Sequence, residues 1–407
     1  MDTQNLTFQR KTWQPSHYSQ NIEGSKTLAV TARVAELRRQ GVEVISLGAG
    51  EPDFNTPAPI CEAAVQAIRS GHTKYTPNAG IFDLRQAIAE FLNRMGGDYA
   101  PEDILVSNGA KQSIVNALFA TLDVGDEVLV PVPYWTSYPE QVKMAGGNCV
   151  FLQTTAEHNY KIYPEQLEEA VTAKTRLLIL NSPSNPTGMV YTRDELEAIC
   201  HFCLDHDILI LSDEIYIQLI YDAIDTTTLA AFEEIREQLM LVNGFSKSHA
   251  MTGWRLGYLA AKPPFIQAAM KIQSHTTSNA CSISQYAALA ALQMPETDLD
   301  SMKQEFRRRR DYTTERLMNM PGISLVKPQG AFYLFPSVAQ YFGRQANGTV
   351  IRSAMDLSQY LLDEARIAVV PGEAFGAPEN IRISYATSLE NLQKAMDSME
   401  EALSRLQ

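Results

Sequence analysis

Through the middle of the chain, short apolar runs rich in β-branched residues alternate with stretches whose apolar positions recur at helical spacing. Parallel strands joined by crossover helices produce this alternation. The pattern predicts strands at residues 103–107 (DILVS), 127–131 (EVLVP), 177–181 (LLILN), 208–214 (ILILSDE) and 240–246 (MLVNGFS), with helices such as KQSIVNALFATL and RDELEAICHFCLDH between them. Residues of chemical interest cluster just after the strand ends, where open α/β sheets bind ligands.

From about Gln293 the pattern changes to a long charged helix (TDLDSMKQEFRRRRDYTTERLMNM), then strand-like ISLVKP, AFYLFP, IAVVPG and IRISYA, and a closing helix. This reads as a smaller α+β domain. The N-terminal helix (LAVTARVAELRRQG) and strand (VISLG) are too little to fold alone and are expected to pack with it. The predicted organisation is therefore an N-terminal arm over residues 1–55, a large domain over 56–292 with a mostly parallel central sheet flanked by helices, and a small domain over 293–407. The run Arg307 to Arg310 continues a helix that also carries Asp311 and Glu315, so it is expected to form a solvated face.

The chain has 407 residues, too many for one core of the ~250–300 residues at which cores stop growing. Its 45% hydrophobic and 20% charged residues fit an ordinary globular protein. A formal net charge of −13 argues against nucleic acid, whose phosphates must be neutralised by Lys and Arg. The first twenty residues lack the apolar core of a secretory signal, and no stretch approaches the ~20 apolar residues that span a bilayer, so a cytoplasmic protein without a membrane partner is expected. The five scattered cysteines do not make a disulfide framework. Cys200 and Cys203 form a C-x-x-C flanked by His201 and His206, but no second ligand pair stands at metal spacing and no metal is expected.

The sharpest local signal is the segment Ser246-Lys247-Ser248-His249-Ala250-Met251-Thr252-Gly253-Trp254-Arg255-Leu256-Gly257. A lysine at a strand end can be desolvated by its pocket, which keeps the amine neutral enough to form a Schiff base with an aldehyde. Arg255, eight residues on, offers a fixed positive fork to an anion. A surface lysine beside a glycine turn fits the same segment. Asp213, at the end of an apolar strand and three residues before Tyr216, needs a positive partner to offset its desolvation, such as a protonated ring nitrogen; capping the following helix is the plainer role. The turn Asn108-Gly109-Ala110-Lys111 opens onto a helix N-terminus, which suits a phosphate but is also an ordinary strand-to-helix connection. In Asn181-Ser182-Pro183-Ser184-Asn185-Pro186-Thr187-Gly188 the prolines fix a loop that holds Asn185, although such residues are also plain turn chemistry. Arg382, inside the apolar strand IRISYA, points to a bidentate carboxylate ligand or an internal ion pair.

Taken in order, these segments resemble the class I aminotransferases of pyridoxal-phosphate fold type I. The likeness runs from about Ser25 to the last helix. It is strongest toward the bacterial and plastid branch of aspartate aminotransferases, which includes aspartate/prephenate enzymes, through GAGEPDF, KYTPNAG, SNGAKQ, PYW, SPSNPTG, SDEIY, SKSHAMTGWRLGY, QGAFYLF and RISYAT. The resemblance implies that Lys247 carries pyridoxal 5′-phosphate as a Schiff base and later shuttles the substrate proton. It pairs Asp213 with the ring nitrogen, sets Tyr216 and Asn185 on the ring hydroxyl oxygen, and stacks Trp135 on the ring face. Gly109, Ala110, Lys111, Ser246 and Arg255 are implied on the phosphate side, with Tyr75 reaching it from the neighbouring subunit of a homodimer. Arg382 is implied to clamp the substrate α-carboxylate, beside the backbone of Gly50 and near Trp135 and Asn185. Many relatives carry a serine three residues before the lysine, where this chain has Gly244.

In the similar aspartate enzymes a second carboxylate is met near the positions of Ser25, Thr27 and Lys111, so aspartate and 2-oxoglutarate are the expected pair. Prephenate-using relatives tend to carry a lysine just before the Pro-Ser of that segment, whereas here Glu23-Gly24-Ser25 stands, and a negative charge repels a dicarboxylate by ~1 kcal/mol at exposed separations near ~4 Å. A relaxed aromatic, neutral or prephenate aminotransferase is the alternative, followed by a lyase of the same fold. A non-catalytic ligand sensor is disfavoured by the presence of Lys247, Asp213 and Arg382 together.

Overall fold

The computed structural model describes residues 13–407. Its centre is a seven-stranded sheet, numbered here β1 (Ile104–Ser107), β2 (Glu127–Val132), β3 (Asn148–Gln153), β4 (Thr175–Asn181), β5 (Leu209–Asp213), β6 (Leu239–Gly244) and β7 (Gly257–Ala260). The spatial order is β1-β7-β6-β5-β4-β2-β3. Neighbours run parallel except β7, which is antiparallel to both β1 and β6. Five of these are the strands that the apolar runs predict; β3 and β7 are additional.

Successive side chains on a strand point to opposite faces, and the unbroken apolar runs follow from that. In β4, Leu177 and Ile179 enter one core with Val128, Val130, Leu211 and Val242, while Leu178 and Leu180 enter the other with Leu129, Ile210 and Leu241. Helices cover both faces, among them Ala110–Thr121 on one side and Arg193–Asp205 on the other. Each fully buried Leu here contributes on the order of 1.5–3 kcal/mol. Cys200 and Cys203 lie on the inner face of helix Arg193–Asp205, and burial pushes both thiols up, Cys200 to about 12. They are core side chains, and no group of three or more metal-binding side chains occurs among the described residues. None of the described helices is long and apolar enough to cross a membrane.

A third core is built by helices Asp300–Met318, Ala354–Ala365 and Leu389–Ser404 around the antiparallel strands Tyr333–Leu334, Ile381–Ser384 and Val370–Pro371. The N-terminal strand Ile45–Ser46 pairs with Ile367–Ala368, and Val34 and Leu37 of helix Lys26–Arg39 pack with Leu362. The run ISLVKP forms no strand; a single bridge joins Ser324 to Ser337.

The arginine run departs from a solvated face. Arg309 and Arg310 are buried, the latter with 0% of its surface exposed. Arg309 pairs with Asp53 at 2.7 Å and Glu305 at 2.9 Å, and Arg310 with Asp222 at 2.6 Å and Asp311 at 2.8 Å. Their principal partners, Asp53 and Asp222, come from outside the helix, so burial is compensated by charge.

Candidate active site

The C-terminal ends of β1, β4, β5 and β6 open onto one cavity of about 520 Å³. Its wall brings together Thr27, Gly50, Ala110, Lys111, Trp135, Asn185, Asp213, Tyr216, Ser246, Lys247, Arg255 and Arg382, twelve residues singled out in the sequence. Three others lie apart from this wall. Ser25 lines a neighbouring cavity with Glu23, Lys26 and Lys111. Gly109 sits behind the wall against the Arg255 guanidinium, and Tyr75 stands on the surface, 92% exposed.

Lys247 follows β6 by three residues and donates its Nζ proton to the Gly50 carbonyl. Burial lowers its amine to about 8, with Arg382 and Arg255 adding to the effect and Glu51 and Asp213 opposing it. A large fraction of this amine is therefore neutral near pH 8, as a nucleophile or proton acceptor requires. Asp213 closes β5. Its Oδ2 accepts from the Tyr138 hydroxyl at 2.8 Å and its Oδ1 from the Ile215 amide at 3.2 Å. Burial raises the carboxyl to about 6 despite those donors, and it has no ion-pair partner among the described residues.

Arg382, 2% exposed, donates Nη1 to Asn185 Oδ1 at 3.0 Å and Nη2 to the Gly48 carbonyl at 2.8 Å, while Nε is buried with no partner. No carboxylate meets it among the described residues, and burial lowers its pKa. The internal ion pair left open by the sequence is therefore absent there. Asn185 is itself held by its backbone N–H, which donates a hydrogen bond to Asn181 Oδ1 at 2.8 Å.

A second positive region forms where Lys111 and Arg255 approach each other. Burial first, and Arg255 second, lowers the Lys111 amine. Lys111 Nζ lies 4.9 Å from the centroid of the Trp135 ring, and Arg255 takes a left-handed φ of 54° that aims its Nη1 at the Thr252 carbonyl, 2.9 Å away. Glycines make this closeness possible: a Cβ on Gly109 would come within 2.7 Å of Arg255 Nη2, and one on Gly257 would overlap the Ala110 amide. At Gly244 a Cβ would lie 2.9 Å from Gly257 Cα and 3.0 Å from the Leu256 carbonyl oxygen. The serine of other relatives has no room there.

Among the wall residues to which the sequence reading gave no role are Tyr138, Asn181, Glu51 and Tyr333. Tyr138 opens the short helix Tyr138–Met144 three residues after Trp135, and its place in the PYW-to-helix turn was the available signal. Tyr333 lies within QGAFYLF and bonds the Tyr216 hydroxyl at 2.8 Å. Glu51 accepts from Thr252 at 2.9 Å.

The family model for aminotransferase class I and II matches residues 42–399. The chain belongs to this family. The aminotransferase is 48% identical over 378 residues to the aspartate aminotransferase of Bacillus sp. strain YM-2, covering 92% of this chain and 95% of that relative. It is also 48% identical over 389 residues to a bifunctional aspartate and glutamate/aspartate-prephenate aminotransferase of Petunia hybrida, over 94% of this chain and 81% of the relative. Among solved structures, the aspartate aminotransferase of Rhizobium meliloti superposes with a TM-score of 0.93 at 40% identity, covering 97% of this chain and all of that one. The fold is accordingly type I, and the lyase and sensor readings give way to a transaminase.

Proposed function

We propose that this aminotransferase moves the amino group of L-aspartate to 2-oxoglutarate, using pyridoxal 5′-phosphate carried on Lys247, in a cytoplasmic homodimer. One observation carries the reading: charged groups that lack an ion-pair partner among the described residues, the buried Asp213 and Arg382 with the more exposed Lys111 and Arg255, converge on one cavity. Asp213 fits a cationic ring nitrogen, Lys111 and Arg255 with the Ala110 helix N-terminus and Ser246 fit a phosphate, and Arg382 fits a carboxylate. When bound, the cofactor supplies a ring that accepts the electron pair left on the substrate Cα. Lys247 takes the Cα proton and returns it, worth about 10² to 10⁴-fold as a general base. Arg382 and the Gly50 backbone fix the α-carboxylate so that the Cα–H bond faces Lys247. Trp135 supports one ring face, and Tyr216 and Asn185 hold the ring oxygen.

Thr27 and Lys111 support an acidic side chain, since Lys111 has no carboxylate partner among the described residues and Ser25 holds Thr27 through a 3.0 Å hydroxyl contact. Glu23 opens on the neighbouring cavity and pairs with Lys26 at 3.6 Å, which draws its charge away from the substrate. The proposed division at residues 55 and 292 leaves the cavity between the sheet and the N-terminal and C-terminal elements. Tyr75 is assigned to the partner's phosphate; a monomer in sedimentation at assay concentration would remove it from that role.

The test is a donor panel with 2-oxoglutarate. Aspartate is expected to exceed tyrosine, phenylalanine and alanine in kcat/KM by about tenfold or more, as an added charge-assisted hydrogen bond allows. A preference for an aromatic donor would overturn the substrate assignment.

The lowered Lys247 pKa gives a pH expectation of definite sign. Capture of the aldehyde needs the neutral amine, so the rate at which apoprotein takes up the cofactor should rise about tenfold per pH unit and level off above pH 8. Stopped-flow absorbance measures it. A rate still climbing at pH 10 would mean an amine with the ordinary lysine value.

A further inference from the structure

We propose that Tyr333 is a positioning residue in which hydroxyl and ring have separate tasks: the hydroxyl turns the Tyr216 proton toward the cofactor's ring oxygen, and the ring holds the Arg382 guanidinium for the substrate carboxylate. The inference rests on the function proposed above and names a residue outside the machinery assigned there.

Tyr333 is fully buried and lines the cavity. It sits on the strand beside Arg382, with Ser384 as its register partner. Two residues from that partner, Arg382 is its diagonal neighbour, within reach of a large ring. The guanidinium carbon lies 4.4 Å from the Tyr333 ring centroid. That face contact restrains the plane of a group whose Nε has no hydrogen-bond partner.

The other end of the same side chain reaches the Tyr216 hydroxyl at 2.8 Å. A phenol has one hydrogen to give and lone pairs to receive. If Tyr216 gave its hydrogen to Tyr333, none would remain for the ring oxygen. Tyr333 therefore donates and Tyr216 passes its own hydrogen onward, a chain in which each bond strengthens the next. Tyr333 is also fixed from the third side, since a Cβ on Gly50 would lie 3.4 Å from its hydroxyl. Gly50 accepts from Lys247, so one rigid side chain borders three working parts of the site.

The two tasks separate experimentally. A bond donated to the ionised ring oxygen favours the less protonated form of the loaded enzyme, so weakening it moves protonation to higher pH. For Tyr333→Phe, the midpoint of the absorbance-against-pH curve of the cofactor-loaded enzyme is expected to rise by about 0.5 unit, roughly threefold in proton affinity. Tyr216→Phe should shift it further, and the double variant no further than Tyr216→Phe alone. Binding of maleate, a dicarboxylate with no amino group to transfer, should stay within about twofold in Tyr333→Phe and weaken about tenfold in Tyr333→Leu. An unmoved midpoint in Tyr333→Phe, additive shifts in the double variant, or unchanged maleate binding in Tyr333→Leu would each overturn the proposal. Failure of the underlying reading looks different: the wild-type enzyme would then show no pH-dependent absorbance and no transfer from aspartate, and both would fall.

Discussion

A Lys247→Ala enzyme should retain the cofactor in its cavity and lose turnover by about 10⁴-fold or more, because one side chain serves as both nucleophile and base. The Asp213, Lys111, Arg255 and Arg382 contacts do not pass through Lys247, apart from its charge, so binding survives without it. Equilibrium dialysis against the cofactor and single-turnover transfer from aspartate measure the two properties side by side. Turnover within tenfold of wild type would remove Lys247 from the chemistry. Burial lowers the Lys247 amine from 10.5 to about 8, so below pH 8 the charged lysine costs the folded state stability, and the cofactor-free Lys247→Ala protein should be at least as stable as wild type at pH 7.

Asp213→Asn should lower kcat/KM for aspartate by roughly 10² to 10⁴-fold, since losing one member of a buried charge pair costs about 3–5 kcal/mol. An amide keeps the shape and the Tyr138 contact, but it offers no charge to hold a ring nitrogen in its protonated form. The stability of the cofactor-free protein should move the opposite way. Asp213 is raised by burial from 3.8 to about 6, so between those values the folded state holds more protons than the unfolded one. Its contribution then worsens as pH rises through that window and stays unfavourable above it. Cofactor-free Asp213→Asn should thus be more stable than wild type at pH 8 by up to about 3 kcal/mol, with the gap closing below pH ~4. Denaturant midpoints at the two pH values decide this; a wild type that is the more stable at pH 8 would mean that Asp213 is already compensated. The expected result means that Asp213 is held at a cost in stability that cofactor binding offsets.

The strands that the sequence displayed are those with both faces buried. β4 and β6 are almost continuous Leu, Ile, Val and Met because helices cover both sides. β3 escaped notice because it is the sheet's edge and only Leu152 in it is buried. β7 is four residues long and begins with a glycine required by the Ala110 loop. ISLVKP has the composition of a strand without a neighbour to pair with beyond one bridge. Arg309 and Arg310 were misread because Asp53 and Asp222 are 256 and 88 residues away in the chain, and charge patterning within a helix says nothing of such partners. The same limit applies in the site. Lys247, Asp213 and Arg382 announce themselves by charge within or just after apolar strands, whereas Tyr138 and Tyr333 differ from ordinary core tyrosines only in what lies across from them.

The glycine pair at the back of the phosphate region constrains what this lineage can become. A hydroxyl at position 244 would require β6 and β7 to part, because the new Cβ meets backbone rather than a yielding side chain. A Gly244→Ser variant should be less stable than wild type, because the neighbouring β7 backbone must shift to admit the new Cβ.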